Sequence, residues 1–148
     1  MPDDDQYDIE ITHDFDASVE RVYDAFTVPD HFARWYGPVG FPVPRDTVEL
    51  DARVGGRQRF VMVSDADPTM RTGFDGRFTE VAENVRLASS GTWNGIPGRA
   101  DPWPSNLRVD LHHADGKTRV VVREGQLATV DLGPLVERHN RLARELVA

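Results

Sequence analysis

The sequence predicts a single α+β domain in which an antiparallel sheet is covered on one face by a long C-terminal helix. Three observations lead there. A strand-like segment at the start is followed by two short helical segments. Then come about six stretches of alternating polarity separated by short turn signals. The chain closes on residues 134–148, whose apolar positions recur at helical spacing.

The terminal segment organises the rest. Leu135, Leu142 and Leu146 form one stripe, with Val136, Ala143 and Val147 beside them, while Glu137, Arg138, Arg141, Arg144 and Glu145 fall mostly on the opposite side. Pro134 suits the first helical position, and Asp131 or Gly133 can cap it. His139, four residues after Leu135 and three before Leu142, lies within the stripe. It is expected to point at whatever the helix covers.

At the other end, residues 1–6 read as a disordered acidic tail and 7–148 as one domain. Ile9, Ile11 and Phe15 alternate with polar residues in a half-buried first strand, His13 among them. Ser18 is placed to cap a helix carrying Val19, Val22, Tyr23 and Phe26. Pro29 opens a second helix with Phe32, Trp35 and Tyr36 on one side, ended by Gly37-Pro38. Residues 37–44 read as a loop bearing Val39 and Phe41. Strands are expected over 47–51, 57–63, 72–81 and 85–93, with Gln58, Phe60 and Met62 on one face, then Phe74, Gly76, Phe78 and Glu80, then Val85, Leu87, Ser89, Gly91 and Trp93. Residues 94–104, rich in proline and glycine and containing Trp103, are expected to be a loop. Two more strands follow, joined at Ala114-Asp115-Gly116.

Composition narrows the function classes. The 148 residues suffice for one real core. A net charge of −8 argues against nucleic acid and anionic membrane as partners. The absence of cysteine removes disulfides, a thiol nucleophile and thiolate metal sites. The adjacent His112 and His113 would point to opposite faces of a strand and so cannot chelate one ion; no metal and no cofactor is expected. No apolar run is long enough for a membrane helix and the N-terminus carries no secretory pattern, so a cytoplasmic location is expected.

Several motifs carry a resemblance. Phe15-Asp16-Ala17-Ser18 through Val22, Ala25 through Pro29, and Trp35-Tyr36-Gly37-Pro38 resemble the opening of the helix-grip superfamily, the START/SRPBCC-like or Bet v-type proteins. Residues 54–57, 76–81 and 116–120 fit its branch of activators of the heat-shock chaperone ATPase in order and spacing, and the likeness runs from about Tyr7 to Leu146. It differs in carrying Gly133-Pro134 where members carry Gly-Trp, and His13 where members carry arginine. The resemblance implies a curved antiparallel sheet gripping the last helix, with a cavity between them. Members of the superfamily bind lipids, sterols, plant hormones or polyketides, and some catalyse reactions in the cavity.

The leading expectation is therefore a non-enzymatic binding module for a small, largely apolar molecule, lipid, polyketide-like or aromatic, held in a cavity between the sheet and the C-terminal helix. Its lining is expected from Trp35, Phe41, Gln58, Phe60, Met62, Phe74, Phe78, Trp93, Trp103, Leu135, His139 and Leu142, with His13 and Glu80 as further polar groups. His139 or Gln58 would fix one polar end of the ligand. The competing structural reading makes the aromatics plain core and the histidines servants of buried carbonyls. An alternative is a cyclase-, dehydratase- or hydrolase-type enzyme with His139 as base, oriented by Glu80 or His13. A further alternative, stimulation of a chaperone ATPase, rests on the branch name alone. A homodimer through loops or a sheet edge stays open.

Overall fold

The computed structural model describes residue 7, residues 9–37, 40–96 and 101–125, together with Leu142 and Leu146. Its frame is one open, curved antiparallel sheet of seven strands, ordered β1-β7-β6-β5-β4-β3-β2. The strands are β1 (Ile9–Phe15), β2 (Glu49–Leu50), β3 (Arg57–Val63), β4 (Arg71–Ala82), β5 (Arg86–Asn94), β6 (Trp103–Ala114) and β7 (Lys117–Glu124). Helices α1 (Val19–Thr27) and α2 (Pro29–Trp35) lie between β1 and β2. From β2 to β7 each strand pairs with the next, as short turns require, and β7 returns to pair with β1.

Local chemistry sets these boundaries. Ser18 caps α1, its hydroxyl accepting the Arg21 N–H at 3.3 Å. Pro29 takes the first turn of α2, where no intrahelical N–H is needed. Trp35 locks the two helices together by donating from Nε1 to the Ala25 carbonyl at 2.8 Å. Asp115 and Gly116, both at positive φ, make the two-residue turn of the β6–β7 hairpin. The Thr118 hydroxyl donates to the Ala17 carbonyl at 2.7 Å, fastening β7 to the start of α1. Ser18→Ala is expected to lower stability by about 1 kcal/mol, measured by urea unfolding; an unchanged midpoint would contradict the capping role.

The inner face of the sheet carries the core. Phe15, Phe60, Phe74, Phe78, Trp93, Val109, Val120 and Val122 pack there with Val22, Phe26, Phe32 and Trp35 from the helices. Leu142 and Leu146 are helical and buried in the same cluster. The rest of the expected terminal helix, including Leu135 and His139, lies outside the described residues, as does the tail 1–6. Among the described residues no helix is long and apolar enough to cross a membrane.

Curvature comes from two places. Gly76 on β4 and Gly91 on β5 are direct partners. A Cβ on Gly91 would lie 2.5 Å from both the Gly76 Cα and the Asp75 carbonyl oxygen, so the strands approach there as only glycine permits. A β-bulge between Phe78 and Glu80 bends β4 further.

The outer face is held by charge. Asp110, buried on β6, accepts from Arg86 Nε at 2.6 Å, Arg108 Nε at 2.8 Å and Arg123 Nη1 at 3.1 Å. Arg86 also reaches Glu80 on β4, and Arg123 reaches Glu10 on β1. The network thus spans β4, β5, β6, β7 and β1. Burial pushes the Asp110 carboxyl up, but the arginine hydrogen bonds outweigh it and hold it below its ordinary value.

Two expectations are corrected here. Glu80 does not share the face of Phe78: the bulge at Thr79 inserts one residue, so Glu80 pairs with Ala88 and stands on the outer face beside Arg86. Trp103 is not on a loop. It is the first residue of β6 and pairs with Trp93. Pro104, which argued against a strand, is tolerated because β7 pairs with β6 only from Leu107 onward, leaving that end of β6 a local edge.

Candidate functional site

The inner face is a grid of direct cross-strand partners. One row runs Leu50, Gln58, Gly76, Gly91, Ser105; the next runs Met62 and Thr72, separated from it by Phe60, Phe74, Trp93 and Trp103. On the other side lie Phe78, Ser89, Leu107, Glu124 and Ile9. The two glycines make a trough in the middle of the first row. Neither glycine puts a side chain there, and the ring of Phe74, from β4 itself, leans over Gly76.

A pocket sits at that place, lined by Tyr36, Gln58, Phe60, Phe74, Trp93, Ser105, Leu107 and Glu124. Its free volume is ≈ 10 Å³, about the room a single water needs. Four rings surround it: Phe60 meets Tyr36 at 4.8 Å, Trp93 at 5.6 Å and Phe74 at 5.8 Å between centroids, and Phe74 meets Trp93 at 5.1 Å. The Phe74 ring lies over Gly76, where a Cβ would come within 2.8 Å of its Cε2.

Polar groups face this aromatic box. Ser105 donates its hydroxyl to the Gly125 carbonyl at 2.9 Å. Glu124 is 5% exposed. Gln58, also 5% exposed, and Trp93, 7%, differ from these: Gln58 Oε1 and Trp93 Nε1 are buried with no hydrogen-bond partner among the described residues. Ser89 Oγ, in the neighbouring row, is in the same condition. An unmade hydrogen bond at a buried group costs about 1–3 kcal/mol, so three on one face call for a reason.

Of the residues expected to line a site, the structure brings together Gln58, Phe60, Phe74 and Trp93. Met62 and Phe78 share their face and are buried, but stand outside the lining. Phe41 packs on the core from its loop, and Trp103 lies half-buried at the end of the aromatic row. Trp35 is enclosed by the helices, with Phe26 at 4.9 Å and Phe32 at 6.0 Å. His13 does share the face of Phe15, and stacks on it at 4.3 Å, away from the pocket. Leu142 is fully buried in the core.

Tyr36, Ser105, Leu107 and Glu124 were not foreseen as lining. The signal was present for all four. Ser105, Leu107, Val109 and Leu111 alternate along β6, and Glu124 continues the alternation of Val120 and Val122. Tyr36, four residues after Phe32, lies on the same helical face and stacks on it at 4.2 Å.

A family model described as Activator of Hsp90 ATPase homolog 1-like protein matches residues 16–141. The chain belongs to this family. The match spans every element from α1 to β7 and so includes the whole lining of the pocket. Solved structures share the fold. Protein CV1439 from Chromobacterium violaceum is similar at a TM-score of 0.80 and 22% identity, over 95% of this chain and 97% of that one. Protein NE0264 from Nitrosomonas europaea also reaches 0.80, at 18% identity, over 99% and 98%. The AHSA1 protein from Silicibacter pomeroyi reaches 0.77 at 19% identity, over 94% and 96%. No curated protein matches the chain.

Proposed function

We propose that this Activator of Hsp90 ATPase homolog 1-like protein binds a small, largely apolar molecule of flat, aromatic or polyketide-like shape at the inner face of its sheet. One observation carries this reading: a buried Gln58 oxygen, without a hydrogen-bond partner among the described residues, beside a box of Tyr36, Phe60, Phe74 and Trp93. A core that served packing alone would hold an apolar residue there, because a lone buried amide opposes folding. Ligand sites, by contrast, combine an apolar lining with a few placed polar groups.

The present gap is water-sized, so binding requires side chains to part. The Phe74 ring, which rests on Gly76 rather than on a Cβ, is the element placed to move. A ligand would take over the stacking that Phe74 and Trp93 now give each other.

The test is a thermal-shift panel of flat aromatic and polyketide-like compounds, with native mass spectrometry of the protein as purified. A ligand present at one hundred times its Kd adds about 2.7 kcal/mol and raises the Tm by several degrees. Phe74→Ala, which removes the ring over the trough, should change the affinity of any hit at least threefold. A panel without a shift, together with a ligand-free mass, would end this reading.

A further inference from the structure

Gln58 and Trp93 differ in what they lack. Among the described residues the Gln58 Oε1 is an acceptor without a donor, and the Trp93 Nε1–H is a donor without an acceptor. They come from β3 and β5, two strands apart, and line one pocket above the glycine pair Gly76 and Gly91. An O–H group meets both needs at once, donating a hydrogen bond to Gln58 Oε1 and accepting one from Trp93 Nε1–H.

The rest of the lining selects in the same direction. The Glu124 carboxyl stands in the same pocket at 5% exposure. Among the described residues no cationic side chain lines the pocket, so a ligand carboxylate would lose its hydration there without an opposite charge in return. The rings of Phe60, Phe74 and Tyr36 fit a flat carbon skeleton rather than a second polar face.

We infer that Gln58 and Trp93 are specificity-determining residues for a neutral hydroxyl carried on a flat aromatic skeleton, and that the site rejects the corresponding carboxylate. This rests on the binding reading above. It goes beyond it in naming the head group and the two residues that read it.

Three probes with one skeleton test it: naphthalene, 2-naphthol and 2-naphthoate, titrated into the full chain and followed by tryptophan fluorescence and calorimetry. The expected result is 2-naphthol binding roughly tenfold more tightly than naphthalene, as two recovered hydrogen bonds allow. 2-Naphthoate should bind at least tenfold more weakly than 2-naphthol. In Gln58→Leu and in Trp93→Phe the preference for 2-naphthol over naphthalene, read as the ratio of the two affinities in each variant, should shrink to within about twofold. The wild-type comparison stands even where a variant fails to fold.

Equal binding of naphthalene and 2-naphthol by the wild type overturns the head-group assignment and leaves the cavity reading intact. So does tightest binding of 2-naphthoate, or a preference that survives both substitutions. Binding of none of the three overturns the cavity reading as well.

Discussion

Gly91→Ala is expected to destabilise the fold by about 3 kcal/mol, the upper range for forcing an extra carbon into a packed site. The added Cβ would meet the Gly76 Cα and the Asp75 oxygen at 2.5 Å. These are backbone atoms of the neighbouring strand, so no rotamer change relieves the clash. Relief requires β4 and β5 to move apart at the point where the sheet bends and where the trough lies. Gly73, on the same strand pair, supplies the control. A Cβ there comes no closer than 3.5 Å, to the Val61 Cγ2. Gly73→Ala is therefore expected to be neutral or to stabilise by up to about 1 kcal/mol, through the smaller entropy of the unfolded chain. Equilibrium urea unfolding of both variants decides the matter. A Gly91→Ala protein as stable as Gly73→Ala would show that the close approach is not needed for the fold.

Asp110→Ala is expected to cost about 3 kcal/mol, because it leaves Arg86, Arg108 and Arg123 facing one another around an empty place. Arg108 and Arg123 are only 16% and 21% exposed, so water replaces the lost carboxylate poorly. The same group gives a pH signature. Its folded pKa lies below its unfolded value, since the hydrogen bonds from Arg86 and Arg108 outweigh the upward push of burial. Its contribution is thus complete above the unfolded carboxyl value of about 3.9 and is lost as pH falls through the lower folded value. Acid unfolding of the wild type below about pH 4 should be steeper than that of Asp110→Asn, which has no such proton to take up. Asp14→Ala serves as the comparison. Its partner Arg119 and the carboxylate itself are both more than half exposed, and its removal should move the midpoint far less. Equal losses for Asp110→Ala and Asp14→Ala would mean that the buried network contributes nothing special.

Much of this architecture is legible from residue pattern. Ser18 before an amphipathic run, Pro29 after Val28, and Asp115-Gly116 between alternating stretches each act through local chemistry, and each stands where its chemistry predicts. Gln58, Phe60, Phe74 and Trp93 were legible as one surface for the same reason: a period of two carries a face across paired strands. What defeats pattern reading is a single inserted residue. The bulge at Thr79 turns Glu80 from the inner to the outer face, and nothing in Phe78-Thr79-Glu80 announces it. Pro104 misleads in the opposite way, since its exclusion from strands lapses where the neighbouring strand has stopped. The Asp110 network was not foreseen either. Its arginines and carboxylates are scattered between residues 10 and 123 and meet only through the sheet order. His139, the residue most singled out by helical spacing, lies outside the described residues.

The pairing of the first strand with the last has a consequence for how the chain comes to be made. Ile9 faces Glu124, and Phe15 faces Thr118. During synthesis β1 and its apolar side chains emerge first, yet the strand that hydrogen-bonds them is translated more than a hundred residues later. Until then the ribosome-bound product carries a bare, sticky edge. Contacts of such long sequence separation also slow the final closure. Premature termination before Lys117 should therefore yield an insoluble fragment rather than a smaller working domain.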